Sequence, residues 1–142
     1  MAAPNLSQLL SAAAPRDQAA IIFADGADVH ARLSYGELEA DVDAVAAGLA
    51  TLGLPRRTAI GILSGNRPEH FIAYLAILRA GFVAVPINHK LKADGVAHIL
   101  SDSDVKLTFV DAENESLVAE GIRIIRFDGD GPESWASVKA SA

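Results

Sequence analysis

Three short segments of this 142-residue sequence combine glycine, charge or imidazole in ways that could support binding or catalysis. The first, residues 61–66 (GILSGN), has two glycines ahead of a predicted helix. It matches neither G-x-G-x-x-G nor G-x-x-x-x-G-K-[ST], and Ser64 is not in the G-x-S-x-G pattern of a hydrolase nucleophile. An ordinary turn that leads into a helix is therefore the favoured interpretation, with phosphate binding as the alternative.

The second and third segments carry charge of opposite sign. Residues 88–92 (NHKLK) bring two lysines and an imidazole together after a predicted strand, where they could hold a phosphate as point charges or form a solvated loop. Residues 111–115 (DAENE) hold three carboxylates. Metal binding by these carboxylates is the alternative to the favoured interpretation, an acidic first helical turn that complements the helix dipole.

The remaining reactive residue types form no catalytic or metal-binding pattern. The four histidines lack metal-ligand spacing, and although His70 follows Glu69 there is no H-E-x-x-H. Each histidine is interpreted as a surface or capping residue, and only a three-dimensional structure can show whether a serine, a histidine and an acid converge. With no cysteine there is no thiolate nucleophile. The sequence thus predicts no catalytic residue and no metal site.

Composition and charge argue against several classes of protein. Twelve basic against 18 acidic side chains give a net charge of −6, which argues against nucleic-acid binding. The longest apolar run, residues 71–78, is far shorter than the roughly 18 residues that a membrane-spanning helix needs. The first residues also make a poor signal peptide. We therefore expect a soluble, cytoplasmic protein with no membrane span and a single domain over residues 1–142.

Hydrophobic periodicity predicts the elements that position these segments. A capping box at Ser34 and Glu37 opens an amphipathic helix that ends near Gly53. Before it we predict a short helix capped by Asn5 and a hairpin around residues 25–26. After it strands and helices alternate: strand 58–63, helix 67–79, strand 82–86, weak helix 93–100, strand 106–110, short helix 112–119 and strand 122–127, followed by a polar end without regular structure.

Single helices between strands require right-handed crossovers, which predicts an α/β fold with a mostly parallel sheet and helices on both faces. The helix over residues 67–79 is apolar around nearly its whole circumference. We expect it to lie between the sheet and a further layer, and to leave apolar surface that drives homo-oligomer formation in the isolated chain.

The order of several motifs resembles the start of an AMP-forming acyl-CoA synthetase, of the adenylate-forming, AMP-binding enzyme family. The motifs are LSYGEL (residues 33–38), GILSGNRPEHFIAYLAILRAGFVAVPIN (61–88), HKL (89–91) and HILSDSDVKLTFVD (98–111). The resemblance covers about residues 5–128 and implies the N-terminal subdomain of the adenylate-forming fold, incomplete in this chain. It also implies a reaction in which a carboxylic acid and ATP give an acyl-adenylate, whose acyl group then passes to coenzyme A.

The resemblance assigns few roles to residues of this chain. The family's phosphate loop, magnesium-binding acid, ribose-binding aspartate and catalytic lysine are not among the 142 residues. The chain alone is therefore expected to be inactive and to bind no cofactor, with ATP, Mg and coenzyme A used by a parent enzyme whose remainder is its partner. Lys90 occupies the position where several acyl-CoA ligases place an arginine near the nucleotide of coenzyme A, which makes it the one CoA-binding candidate. The alternatives are a stand-alone α/β binding or interaction module derived from the family, and a small flavodoxin-like nucleotide binder.

Overall fold

Strands and helices alternate through residues 5–10 and 13–141, the part of the chain that the computed structural model describes. In chain order the strands and α-helices are β1 (Ala19–Asp25), β2 (Asp28–Ser34), α1 (Tyr35–Ala50), β3 (Ala59–Leu63), α2 (Pro68–Arg79), β4 (Val83–Ile87), α3 (Ala93–Asp102), β5 (Leu107–Val110), β6 (Arg123–Arg126) and α4 (Trp135–Ala140). Two 3-10 turns, Leu6–Leu9 and Glu115–Leu117, complete the set.

A four-stranded parallel sheet in the order β4-β3-β5-β6 forms the centre of the fold. β3 pairs with both β4 and β5, so it lies inside the sheet with a neighbouring strand on each side. β1 and β2 form a separate antiparallel hairpin. The predicted α/β class and the mostly parallel sheet are therefore confirmed, with strand ends displaced by about one residue.

Helices cover both faces of this sheet, as the sequence predicts. Alternate residues of the strands point to opposite faces, so Ile60, Ile62 and Phe109 join the core beneath α1, α2 and α4. Leu63 and Val110 belong to the second core, which Val96 and Leu100 of α3 complete on the other face.

Three local predictions were wrong. The predicted helix over residues 112–119 is only a 3-10 turn, Glu115–Leu117. The predicted cap at Asn5 is confirmed, but the N-terminal helix that it opens is only a 3-10 turn at Leu6–Leu9, and residues 11 and 12 lie outside the described part. The chain end predicted to lack regular structure forms α4, which Ser134 caps through its hydroxyl. A six-residue helix is too short for periodicity to reveal, because packing rather than propensity stabilises it.

The packing of α2 only partly matches the prediction. Its inward side chains are buried against α1, the first 3-10 turn and the sheet, so it does lie between the sheet and a further layer. Its outward face carries one large exposed apolar side chain, Phe71, at 44% exposure. The helix therefore leaves far less apolar surface uncovered than its composition indicates.

Candidate functional site

A cleft of about 560 Å³ opens at the carboxyl ends of β3 and β5. This is the edge of a parallel sheet where ligands usually bind. The loop after β3, the loop after β5, Asp128 beyond β6, and residues Phe23, His30 and Ala31 of the hairpin line it. Parallel topology thus brings the predicted segments 61–66 and 111–115 together, while residues 88–92 lie outside the cleft lining.

Asp111 ties the two central loops of the cleft to each other. Its Oδ2 accepts the backbone N–H of Gly65 at 2.9 Å, and its Oδ1 accepts the Asn114 backbone N–H at 3.1 Å and side-chain amide at 2.6 Å. Both oxygens are therefore occupied by donors from the protein. The predicted role of this segment as the acidic first turn of a helix is wrong, because no α-helix follows and the carboxylate instead fixes the loops.

Arg67 lies at the mouth of the cleft and is held by two acids and an aromatic ring. Its Nε donates to Glu69 Oε2 at 2.9 Å, its Nη1 donates to Asp128 Oδ1 at 3.0 Å, and its guanidinium carbon lies 5.1 Å from the centre of the Phe127 ring. Burial alone would lower the pKa of Arg67, but the two carboxylates outweigh it and raise that pKa. The guanidinium is thus permanently charged and already engaged.

The side chains that line the cleft carry a net negative charge. Four carboxylates line it, those of Glu69, Asp111, Glu113 and Asp128, against the single guanidinium of Arg67. A cluster of carboxylates repels a polyphosphate unless cationic side chains or a metal ion compensate the negative charge. This charge distribution indicates that residues 61–66 form an ordinary turn rather than a phosphate-binding loop.

Ser64 and His70 form a hydrogen-bonded pair beside the cleft. Ser64 Oγ lies 2.9 Å from His70 Nδ1 and also donates to the Gly65 carbonyl at 2.9 Å. Burial lowers the pKa of His70, the neighbouring His89 adds to this effect, and Asp111 opposes it. Ser64 is only 2% exposed, so no substrate reaches its hydroxyl, and the pair connects the β3 loop to α2 rather than forming a hydrolase site.

His70 and Arg67 are the site residues that sequence reasoning missed. His70 was expected on the surface or at a cap, but it is half-buried, and Arg67 was expected only as a helix start. The partner of His70 lies six residues away along the chain, at Ser64, and the long-range partner of Arg67 lies beyond another strand, at Asp128. The only signal available was their position at the carboxyl end of a buried strand.

Lys90 lies on the turn between β4 and α3, at the same edge of the sheet. Its backbone N–H donates to Asn88 Oδ1 at 3.0 Å, and its side chain is exposed. Within residues 5–10 and 13–141 no carboxylate is within ion-pair distance of its ammonium group. The Lys90 side chain is therefore available to an external anion.

Neither a metal-binding cluster nor a membrane-spanning helix occurs among the described residues. No group of three or more His, Asp or Glu side chains there is arranged to hold a metal ion. No helix in the same part of the chain is both long and apolar enough to cross a membrane.

The chain is similar in sequence to two curated ligases. It is 36% identical over 88 residues to the 3-hydroxybenzoate–CoA ligase of Aromatoleum sp. (strain CIB), an alignment that covers 62% of this chain and 17% of that protein. It is 35% identical over 108 residues to the L-proline–[L-prolyl-carrier protein] ligase of Streptomyces coelicolor, which covers 76% of this chain and 19% of that protein.

A solved structure shows a similar fold over nearly the whole chain. ATP-bound MatB from Rhodopseudomonas palustris superimposes with a TM-score of 0.78 at 26% identity, covering 97% of this chain and 28% of that one. The chain thus spans less than a third of the length of each of these relatives. Residues 10–141 match the model of the family described as AMP-binding enzyme. The chain therefore belongs to the AMP-binding enzyme family.

Proposed function

We propose that this chain forms the N-terminal part of a larger AMP-binding domain, in an enzyme that converts a carboxylate, ATP and coenzyme A to acyl-CoA, AMP and diphosphate. The observation that carries the proposal is the family match over residues 10–141, supported by the superposition of 97% of the chain on an ATP-bound relative. The names of the relatives share carboxylate activation but differ in carboxylate and in thiol acceptor.

The residues of the chain do not themselves fit ATP. The cleft at the carboxyl edge presents four carboxylates and one guanidinium that already binds two of them. An anionic triphosphate would be repelled there. In this proposal the remainder of the ligase supplies the ATP and Mg sites, and residues 1–142 alone are inactive in adenylation.

Coenzyme A is a better match to the same edge of the sheet. Lys90 is exposed and has no described acidic partner. The resemblance to the family implies that it occupies the position of an arginine that contacts coenzyme A in several ligases. An ammonium group binds a phosphate as a point charge, without the two parallel hydrogen bonds of arginine. We propose that Lys90 contacts a phosphate of the coenzyme A nucleotide. Because ATP and coenzyme A are cytoplasmic substrates, the enzyme is proposed to act in the cytoplasm.

Two experiments test the proposal against its alternatives. The gene downstream of codon 142 should encode a Thr/Ser/Gly-rich loop followed by a lysine within about forty residues, given usual connection lengths. A stop codon there, with a native mass equal to the 14.8 kDa of this chain, would favour a stand-alone binding module. Calorimetry of the 142-residue chain with Mg-ATP should give no binding heat, and tight binding would favour an independent nucleotide binder.

A further inference from the structure

The large exposed apolar side chains of the described residues are concentrated in two places. Five such side chains are exposed there, and four of them divide evenly between the start of the sheet and the β1–β2 hairpin. Leu6 and Val83 lie at 52% and 45% exposure beside a groove, and Ile22 and Val29 lie at 53% and 46% near the end of the hairpin. Arg56 and Arg57 flank the first pair, whereas Asp25 and Asp28 lie beside the second, with Arg32 opposite Ile22 on the neighbouring strand.

The first place, here called the basic groove, lies at the amino ends of β3 and β4. Asn5, Leu6, Arg56, Arg57, Leu78, Gly81, Phe82 and Val83 line it. The lining contains two arginines and no acidic residue, and both arginines are exposed. Neither guanidinium forms an ion pair with a carboxylate in the described residues, in a chain whose net charge is −6. The basic groove is thus an apolar surface with two uncompensated cations.

Arg57 holds its guanidinium there at an energetic cost. Its φ is 65°, in the left-handed region that favours glycine, within the turn closed by the Thr58 N–H to Pro55 carbonyl bond of 3.2 Å. A residue with a side chain is strained in this region relative to glycine. Strained positions of this kind concentrate where a side chain serves a function rather than the fold.

The second place, here called the hairpin tip, spans residues 22–29. Asp25 and Asp28 flank its turn, both are exposed, and the segment has no basic residue. Phe23 faces the cleft at the carboxyl edge of the sheet, and strand alternation directs Ile22 away from it. The tip therefore presents two aliphatic side chains and two carboxylates to the outside.

We propose that the hairpin tip of one copy of this chain docks into the basic groove of a second copy. Two carboxylates then meet two guanidinium groups, while Ile22 and Val29 cover Leu6 and Val83. The tip lies at the carboxyl edge of the sheet and the groove at its amino edge, so one molecule cannot satisfy both surfaces by itself. The contact is heterologous and joins molecules head to tail. It involves none of the residues assigned above to coenzyme A or to the cleft mouth.

Sedimentation equilibrium of the purified chain tests the proposal with two variants. The groove variant combines Arg56→Ala with Arg57→Gly, and the tip variant combines Asp25→Lys with Asp28→Lys. Each variant alone should weaken self-association by at least about tenfold, because opposed charges become like or absent. An equimolar mixture should form a 1:1 pair and nothing larger, because each variant keeps the surface that the other lacks.

Arg57→Gly alone distinguishes a weakened contact from a loss of folding. Arg57→Gly removes the strained side chain, so it should raise the melting temperature while weakening association. Phe71→Ser alters the fifth exposed apolar residue and should leave association unchanged. A wild-type chain that stays monomeric at all concentrations would overturn the proposal. Association that survives both charge variants, or a mixture that stays monomeric, would overturn it equally.

Discussion

Single glycines in two helices illustrate how the surroundings of one residue decide the effect of one methyl group. A Cβ at Gly48 of α1 would lie 1.9 Å from the carbonyl oxygen of Val138, where α4 crosses. A Cβ at Gly95 of α3 would meet only Leu91, at ordinary contact distance. We expect Gly48→Ala to destabilise the chain by about 1–3 kcal/mol through displacement of α4, and Gly95→Ala to stabilise it by up to about 1 kcal/mol. Urea unfolding of both variants measures this, and changes of equal sign would contradict the packing described.

His70 makes the stability of the chain depend on pH. Its pKa in the folded chain lies below the ordinary value of 6.5, chiefly because of burial, so near and below that pH the unfolded chain binds the proton more readily. The free energy of unfolding should therefore fall as pH decreases through 6.5 toward the lowered pKa. His70→Asn, whose amide can keep the contact to Ser64, should flatten the melting-temperature profile between pH 7 and 5. The exposed His98→Asn should not, and coincident profiles for all three proteins would refute the assignment.

Lys90 gives the residue-level test of coenzyme A binding in the complete ligase. Lys90→Ala should raise the KM for coenzyme A about three- to tenfold, the effect of one lost charged contact, and leave the KM for ATP unchanged. Lys90→Arg should retain wild-type affinity. Lys106→Ala is the matched control, because Lys106 is a similarly exposed lysine at the opposite edge of the sheet, paired with Asp104 at 2.6 Å. An unchanged KM in Lys90→Ala would remove Lys90 from the site.

At the scale of elements, Arg79 joins the first 3-10 turn, α1 and α2. Its guanidinium contacts Glu39 at 2.9 Å and Asp43 at 2.6 Å, and its Nη2 donates to the Ser7 carbonyl at 3.2 Å. Burial by itself lowers the pKa of Arg79, but these two carboxylates raise it overall, so the charge is retained at all ordinary pH values.

Removal of this side chain should loosen the N-terminal turn. Arg79→Ala is expected to destabilise the chain by about 1–2 kcal/mol, more than an exposed pair contributes, because three elements lose one shared partner. Arg123→Ala is the control, since its pair with Glu133 is long, 3.7 Å, and half exposed, and should cost under about 0.5 kcal/mol. Urea unfolding compares them, and faster proteolysis near residue 10 in Arg79→Ala alone would locate the change. Equal losses in the two variants would argue against the joining role.

The sequence predicts those elements that are long or buried, and it fails where tertiary contact decides. Apolar runs such as residues 58–63 predict β3 because a parallel strand is buried on both faces. α4 has only six residues, and it forms because Trp135 packs on Phe109 and Phe127 with ring centres 5.8 and 5.5 Å apart. No periodicity encodes that contact. A 3-10 turn at Glu115–Leu117 stands where a longer helix was predicted, and the long-range contact there is the bond from the Gly65 N–H to Asp111, which ties this loop to the loop after β3.

At the scale of the whole molecule, topology explains which part of the site was predictable. Parallel strands bring the ends of β3 and β5 to one edge, so the meeting of residues 61–66 and 111–115 follows from the order of elements. The ion pair from Arg67 to Asp128 and the bond from His70 to Ser64 depend on side-chain directions that only packing sets. The acidic character of the cleft is only partly visible in the sequence, because Asp111 and Glu113 share one segment whereas Glu69 and Asp128 join them through the fold.

ATP–pyrophosphate exchange by the native protein is the most direct test of the proposed ligase function. The protein would be captured from its source with an antibody against residues 1–142 and assayed with a panel of aromatic, aliphatic and amino acids, beside the purified 142-residue chain. We predict exchange that depends on one class of carboxylic acid in the native protein and no exchange in the 142-residue chain. Exchange by the 142 residues alone, or its absence from the native protein with every carboxylic acid in the panel, would contradict the proposal.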